Sequence, residues 1–553
     1  MFSSKTLTMN EFLVLFSLVY YVGTEPVLRV DPLVETQLGL IRGTVSDDGT
    51  YAKFLGIPYA VVDENQPFAA SVPHPGFPET FNAYDGTIIC PQFDGSAPRG
   101  QIQCLNLNVY VPNSASSQNP LPVMVYIHGG AFEVGSGGTD RGTPDFLLQR
   151  DVIYVSINYR LGIYGFICTD SPKAPGNIGL KDQLLALRWI KDNIESFGGD
   201  PNKVTVFGES AGGMSIHLHI LSPHEQLFEG AIIQSGPANS PLTIVELDNN
   251  IPLRLSAALG YVTENVDEAI EFIAIADVDL VIAAVNNIRS DTIYSIEPLT
   301  KACVENEFEG IERFVTANPN ELKPEKAKDI PIIIGFTTQE MIFQHAYLGK
   351  EFFDQYTFGD LLSFGFKVED ADEMIDSLRQ FYIGDTPPSV ELANEITDYA
   401  SDLAFNHPTE RAIKNLMDVE PKAVYHYIMS YEGTGVYFGS PFTTEIEGVG
   451  HTSEMMYLLN SPFVNATDHE EFIDRIVTIW TNFAKYGYVY PTPVTSDLLP
   501  VKWEPVTKDS RPYLKLDTNF TIDSRPFHDR MAFWDLFYKV NAKNTLWYKE
   551  EEQ

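Results

Sequence analysis

Seven segments of this chain are rich in apolar residues, and several carry no polar face at all: 108–111, 122–127, 152–157, 204–207, 231–233, 330–334 and 423–428. Strands apolar on both faces need cover on both sides, which a sheet between two helical layers provides. Between the third and fourth segments, Leu180, Leu184, Leu187, Ile190, Ile194 and Phe197 recur every three or four residues. That stripe predicts an amphipathic helix, with Asn177 placed as its N-cap and Gly198-Gly199 as its stop. Strand, helix, strand in this order is the doubly wound pattern. Residues 250–325 and 345–420 are helix-rich and irregular. They read as insertions that roof the sheet and wall a pocket, plain surface packing being the other reading. These signals run from about residue 38 to 540 with no linker or repeat. One large α/β domain over residues 25–553 is therefore expected, not the three or four domains that length alone suggests.

With 44% apolar and 12% aromatic residues, the chain has ample material for one large core. A formal charge of −38 argues against nucleic acid and anionic membrane surfaces as partners, and says little about a neutral small molecule. The N-terminus carries Lys5, an apolar run over residues 12–21, and small residues at Val22-Gly23-Thr24. The run is too short to span a bilayer and reads as a secretory signal peptide over residues 1–24, an N-terminal core helix or anchor being the other reading. No other run suggests a membrane anchor. Sequons at Asn465 and Asn519 fit a secreted, glycosylated chain. Of the four cysteines, Cys90 and Cys104 are close enough to staple one loop by a disulfide. Cys168 lies in an apolar run and reads as a buried thiol, a bond to Cys303 in its polar segment being the less favoured reading.

The chemistry centres on Phe207-Gly208-Glu209-Ser210-Ala211-Gly212-Gly213, placed between a strand pattern and a helix pattern. A serine on a sharp strand-to-helix turn presents its hydroxyl at the sheet edge, and glycines two residues either side avoid a collision across the turn. The helix start aims N–H groups at charge developing beside Ser210. An alcohol is a weak nucleophile near neutral pH, so it needs a base oriented by an acid, and donors for an oxyanion. Ile127-His128-Gly129-Gly130-Ala131-Phe132, directly after an apolar strand, offers such donors. Gly129, Gly130 and Ala211 are the expected oxyanion hole.

These motifs resemble the type-B carboxylesterase/cholinesterase family of α/β-hydrolases, and in general character its secreted insect carboxylesterases. The likeness extends over roughly residues 28–540. It is also carried by Phe54-Leu55-Gly56-Ile57-Pro58-Tyr59-Ala60, Asn158-Tyr159-Arg160-Leu161-Gly162, Gly176-Asn177-Ile178-Gly179-Leu180-Lys181-Asp182-Gln183, Gln234-Ser235-Gly236 and Trp480-Thr481-Asn482-Phe483-Ala484. The resemblance implies an α/β-hydrolase fold: a large, mostly parallel central sheet, helices on both faces, and helical insertions over the active site. Its order of serine, acid and histidine places the acid at Glu340, after an apolar strand, and the base at His451, in a glycine-loosened loop. Asp398 and Asp402 are weaker candidates for the acid. His128, His217, His219, His407 and His426 are expected to be structural. Ser235 is placed behind the triad by the resemblance, a plain turn serine being the other reading.

The chain also departs from the family. Gln103 and Pro67-Phe68 stand where an ion pair is usual, Met341 follows the acid where glycine is usual, and Tyr261 replaces a frequent cysteine. Leu242 takes the place of the acyl-pocket tryptophan of cholinesterases, and no tryptophan lies between Cys90 and Cys104, so a choline-ester specialist is not expected. The resemblance implies a serine esterase for small to medium uncharged carboxylic esters such as odorant, hormone or xenobiotic esters, needing no cofactor or metal. A catalytically idle adhesion protein of the same fold and a specialised hormone esterase are the alternatives.

Overall fold

The computed structural model describes residues 32–289, 299–369, 371–433, 443–489 and 498–547. The expected leader, residues 1–24, lies outside them. An eleven-stranded sheet organises the chain. Its members are β1 (Thr44–Val45), β2 (Tyr51–Pro58), β3 (Asn106–Pro112), β4 (Leu121–Ile127), β5 (Ile153–Ile157), β6 (Gly199–Glu209), β7 (Gly230–Gln234), β8 (Pro331–Thr337), β9 (Ala423–Met429), β10 (Pro512–Leu516) and β11 (Thr521–Ser524). In space they run β11-β10-β9-β8-β7-β6-β4-β5-β3-β2-β1. The block from β10 to β5 is parallel, and both flanks are antiparallel. This is the mixed, mostly parallel sheet of an α/β-hydrolase, and all seven segments read as strands are in it.

Both faces of the sheet's central strands are dry because alternate side chains enter different cores. In β4, Val123, Val125 and Ile127 pack into one core while Met124 and Tyr126 point into the other. The first core is completed by helix α1 (Ile178–Asn193), with Leu184, Leu187 and Ile190, and by helix α2 (Ala211–Leu221). Helix α3 (Glu470–Tyr486) covers the opposite face through Ile476, Trp480 and Phe483. After α1 a single 3-10 turn leads to Gly198, whose φ of +83° ends the helix where the sequence placed its stop. No helix among the described residues is long and apolar enough to cross a membrane.

Two expectations need correction. Asn177 does occupy the N-cap position of α1, in left-handed backbone (φ +55°), but its side chain makes no capping hydrogen bond. Instead its amide donates to Cys303 O and Glu305 Oε2, and its oxygen accepts from Cys303 N–H. The same anchoring overturns the reading of the cysteines. Cys168 is bonded to Cys303, alongside the expected Cys90–Cys104 bridge. The polar flanks that made the Cys303 segment look solvated are paired internally, Glu305 with Lys181 Nζ at 2.6 Å and with the N–H groups of Phe314 and Val315. Gly176 leaves the space, since a Cβ there would lie 2.5 Å from Cys303 Sγ.

A bridge over 135 residues restricts the unfolded chain more than one over 14. The chain-entropy model gives roughly 5 against 3 kcal/mol. Replacing Cys168 and Cys303 by Ser is therefore expected to lower the unfolding temperature more than the same change at Cys90 and Cys104. Calorimetry of the two double variants checks this.

Where the family's usual ion pair is missing, the space is otherwise filled. Gln103 exchanges hydrogen bonds with the backbone of Val62, and Phe68 stacks on Tyr164. The neighbouring buried cation is Arg160, held by both oxygens of Asp182 and by the carbonyls of Pro67 and Ala69. Asn465 and Asn519 are both exposed.

Candidate active site

Ser210 sits at the switch from β6 into α2 with φ +57° and ψ −127°, a conformation L residues rarely adopt. The surroundings enforce it. A Cβ on Gly208 would approach Ile127 O to 2.3 Å, and one on Gly212 would come to 2.0 Å of the same atom. Ser210 N–H donates to Gln234 O at 2.9 Å, tying the turn to the end of β7. The strain, of order 1–3 kcal/mol, persists because packing and hydrogen bonds over-determine the turn. Ser210 itself remains partly exposed.

One residue beyond Gln234, Ser235 is buried with φ +48°, and its hydroxyl donates to Glu340 Oε1 at 2.6 Å. Thr337 N–H donates to the same oxygen at 2.8 Å. The other oxygen, Oε2, faces His451 Nδ1 at 2.5 Å. The loop bearing His451 is stitched to the segment bearing Glu340: Gln339 N–H to Val449 O, Val449 N–H to Thr338 Oγ1, and His451 N–H to Glu340 O. Gly448, at φ +109°, permits that close approach. Met341 does not disturb the acid, because it is buried and its N–H is held by Ser401 Oγ. Phe343 and Phe405, from the insertion after β8, place rings 5.3 and 4.5 Å from the imidazole.

With Nδ1 facing a carboxylate, His451 Nε2 is the free ring nitrogen, buried and without a hydrogen-bond partner. Burial pushes the imidazole pKa down, but the charge and hydrogen bond of Glu340, aided by Glu209 and Glu454, raise it on balance above its usual value. The competing histidines are arranged differently. His217 accepts from Ala238 N–H, His219 meets Gln183, His407 meets Asp535, and His128 stacks on Tyr159; burial holds each of them low, at about 3 to 4. His426, near Glu410, is pushed to about 3. Asp398 and Asp402 are engaged with Arg530.

Of the three N–H groups expected to form the oxyanion hole, that of Gly129 donates to the buried carboxylate of Glu209 at 3.2 Å. Among the described residues, none accepts from the N–H of Gly130, Ala131 or Ala211. Gly130 is required by its φ of +109° and by Val134 O, which would lie 2.0 Å from a Cβ. Ala131 and Phe132 follow with φ of +57° and +62°, anchored by the buried ring of Phe132 and by Gly162 N–H donating to Phe132 O.

Two more acids border the site and were not singled out in the sequence. Glu209 is fully buried, and its Oε1 accepts from Tyr126 OH, Gly129 N–H and Arg141 Nη1. Glu454 is buried against Tyr427 OH, and burial pushes its pKa up to about 7. Their signal was their position, one residue before the serine and three after the histidine. Leu242 is partly buried against the first core, its N–H bound by Ser240 Oγ.

Residues 30–534 match the model of the carboxylesterase family. Among similar proteins, a juvenile hormone esterase of Tribolium castaneum is 30% identical over 91% of this chain and 93% of its own length. Esterase FE4 of Myzus persicae is 31% identical over 93% of this chain and 94% of its own. A bile salt-activated lipase of Rattus norvegicus is 29% identical over 92% and 84%.

Proposed function

We propose, from the premise that this chain belongs to the carboxylesterase family and is a carboxylic ester hydrolase, that it works by acyl transfer through Ser210, His451 and Glu340. The observation that carries the reading is the His451–Glu340 contact, which leaves Nε2 buried and unpartnered, with Glu340 also bound by Ser235, one residue beyond the Gln234 carbonyl that holds Ser210 N–H. His451 takes the Ser210 proton as the hydroxyl oxygen attacks the ester carbonyl. Gly130, Ala131 and Ala211 N–H groups receive the oxyanion, in place of the Gly129, Gly130 and Ala211 set. The imidazolium hands its proton to the departing alcohol. Water, deprotonated by the same nitrogen, then releases the acid and restores Ser210. Glu340 stays ionised, with Ser235 supporting it.

The substrate is a small to medium uncharged ester, its acyl side bounded by Leu242. A hormone ester falls within that class, and the Tribolium relative bears such a name. Secretion is part of the same proposal: two disulfides suit an oxidising compartment, and Asn465 and Asn519 are accessible for glycosylation. Labelling with an uncharged fluorophosphonate tests the mechanism. One phosphonyl group per chain, on the peptide containing Ser210, with activity lost in proportion, is the expected outcome. Label on another residue, or activity surviving complete labelling, would overturn it.

A further inference from the structure

The mechanism does not use the ion pair made by the residue that precedes the nucleophile. Glu209 is fully buried, adjacent in sequence to Ser210, and linked to the glycine turn through Gly129. A Cβ on Gly129 would lie 2.2 Å from Glu209 Oε2, so the carboxylate is wedged against the loop that carries the oxyanion donors. A bare negative charge there would act on the reaction in two ways. It would oppose the negative charge developing on the ester oxygen, and it would favour substrates carrying a positive group. Its influence already extends to His451, whose protonated form it favours.

Arg141 meets that charge. Its Nη1 lies 2.6 Å from Glu209 Oε1, and one third of its side chain is exposed. The short segment carrying it is fixed on its far side, where Thr143 and Asn460 exchange backbone hydrogen bonds and Gly142 packs against Asn460. The other charged groups around the serine are committed. Glu340 belongs to His451, and Glu454 is held by Tyr427, its carboxyl raised to about 7. Arg141 is the cation paired with the carboxylate next to the nucleophile.

We propose that Arg141 sets the charge preference of the active site: by neutralising Glu209 it suits the site to uncharged esters and removes an attraction for cationic ones. The inference rests on Ser210 being the nucleophile. Arg141 acts through Glu209 and is a positioning residue.

The test compares two isosteric thioesters, butyrylthiocholine and its neutral 3,3-dimethylbutyl analogue, with wild type, Arg141→Met, Glu209→Gln and the double variant. The readout is the ratio of kcat/KM for the cationic to the neutral substrate. Arg141→Met is expected to raise the ratio about tenfold, because the carboxylate is left uncompensated. Glu209→Gln, which removes the carboxylate, lowers it by a similar factor and decides the matter if Arg141→Met does not fold. The double variant returns to within about twofold of wild type. Parallel losses on both substrates with an unchanged ratio, in whichever of these variants fold, would mean that the pair only supports the loop and would overturn the proposal. Turnover of the neutral thioester by Ser210→Ala is measured alongside; if it persists, the assignment of the nucleophile fails, whatever the ratios show.

Discussion

Ser210→Ala is expected to reduce kcat for a chromogenic ester by roughly 10⁴- to 10⁶-fold while the unfolding temperature stays near that of wild type. Alanine keeps the Cβ, so backbone strain at φ +57° is unchanged and only the hydroxyl is lost. His451→Ala should lose about as much. Combining the two should add little, because the groups act as one unit. Glu340→Gln separates orientation from charge. Oε1 accepts from Ser235 Oγ and Thr337 N–H, and Oε2 faces His451 Nδ1. A carboxamide has a single oxygen, so satisfying Ser235 and Thr337 turns its NH₂ toward Nδ1. The imidazole must then carry its proton on Nε2, where it cannot act as a base. A loss on the order of 10³- to 10⁴-fold follows, with little change in KM. If Ser210→Ala kept activity within tenfold of wild type, the assignment of the nucleophile would be lost.

The strands were legible because several have no polar face, a property needing no knowledge of their neighbours. The turn at Ser210 was legible for a similar reason, since Gly208 and Gly212 are demanded by a local collision with Ile127 O. What escaped depends on partners remote in sequence. Cys303 looked solvated because nothing nearby shows that Asn177 and Lys181, more than a hundred residues earlier, neutralise its flanks. The glycine pair was read without the carboxylate of Glu209, 80 residues later, which accepts from Gly129 N–H. Arg141 lies in a Gly- and Thr-rich loop with no periodicity, and its role appears only when the chain brings it to Glu209, 68 residues away. The family resemblance supplied the places of Glu340 and His451. Periodicity alone would not have chosen His451 from among its competitors.

Acid is expected to unfold this protein steeply, starting well above the range in which carboxylates usually titrate. Burial lowers eight histidines, six of them far: His128, His217 and His407 to about 4, and His219, His345 and His426 to about 3, with His74 and His224 shifted less. In the unfolded chain each binds a proton near its reference value of about 6.5, so unfolding takes up protons as pH falls below that point, and stability is lost. Burial acts oppositely on three acids, raising Asp402 to about 6 and Glu410 and Glu454 to about 7. Their folded pKa values exceed the unfolded ones, so they add stability as pH falls from about 7 toward their unfolded values near 4. Among the most strongly shifted of these groups, six oppose three. Near pH 5 the balance is an uptake of about three protons on unfolding, or roughly 4 kcal/mol of stability lost per pH unit from these groups. Calorimetry should find the highest unfolding temperature near neutral pH and a sharp fall below about pH 6. His217→Gln keeps an acceptor for Ala238 N–H but removes one titrating group. Its profile should be shallower by about one proton, or about 1.4 kcal/mol per pH unit. An unfolding temperature that stayed level from pH 7 to 5 would mean that these imidazoles are charged in the folded protein, contrary to their burial among apolar side chains.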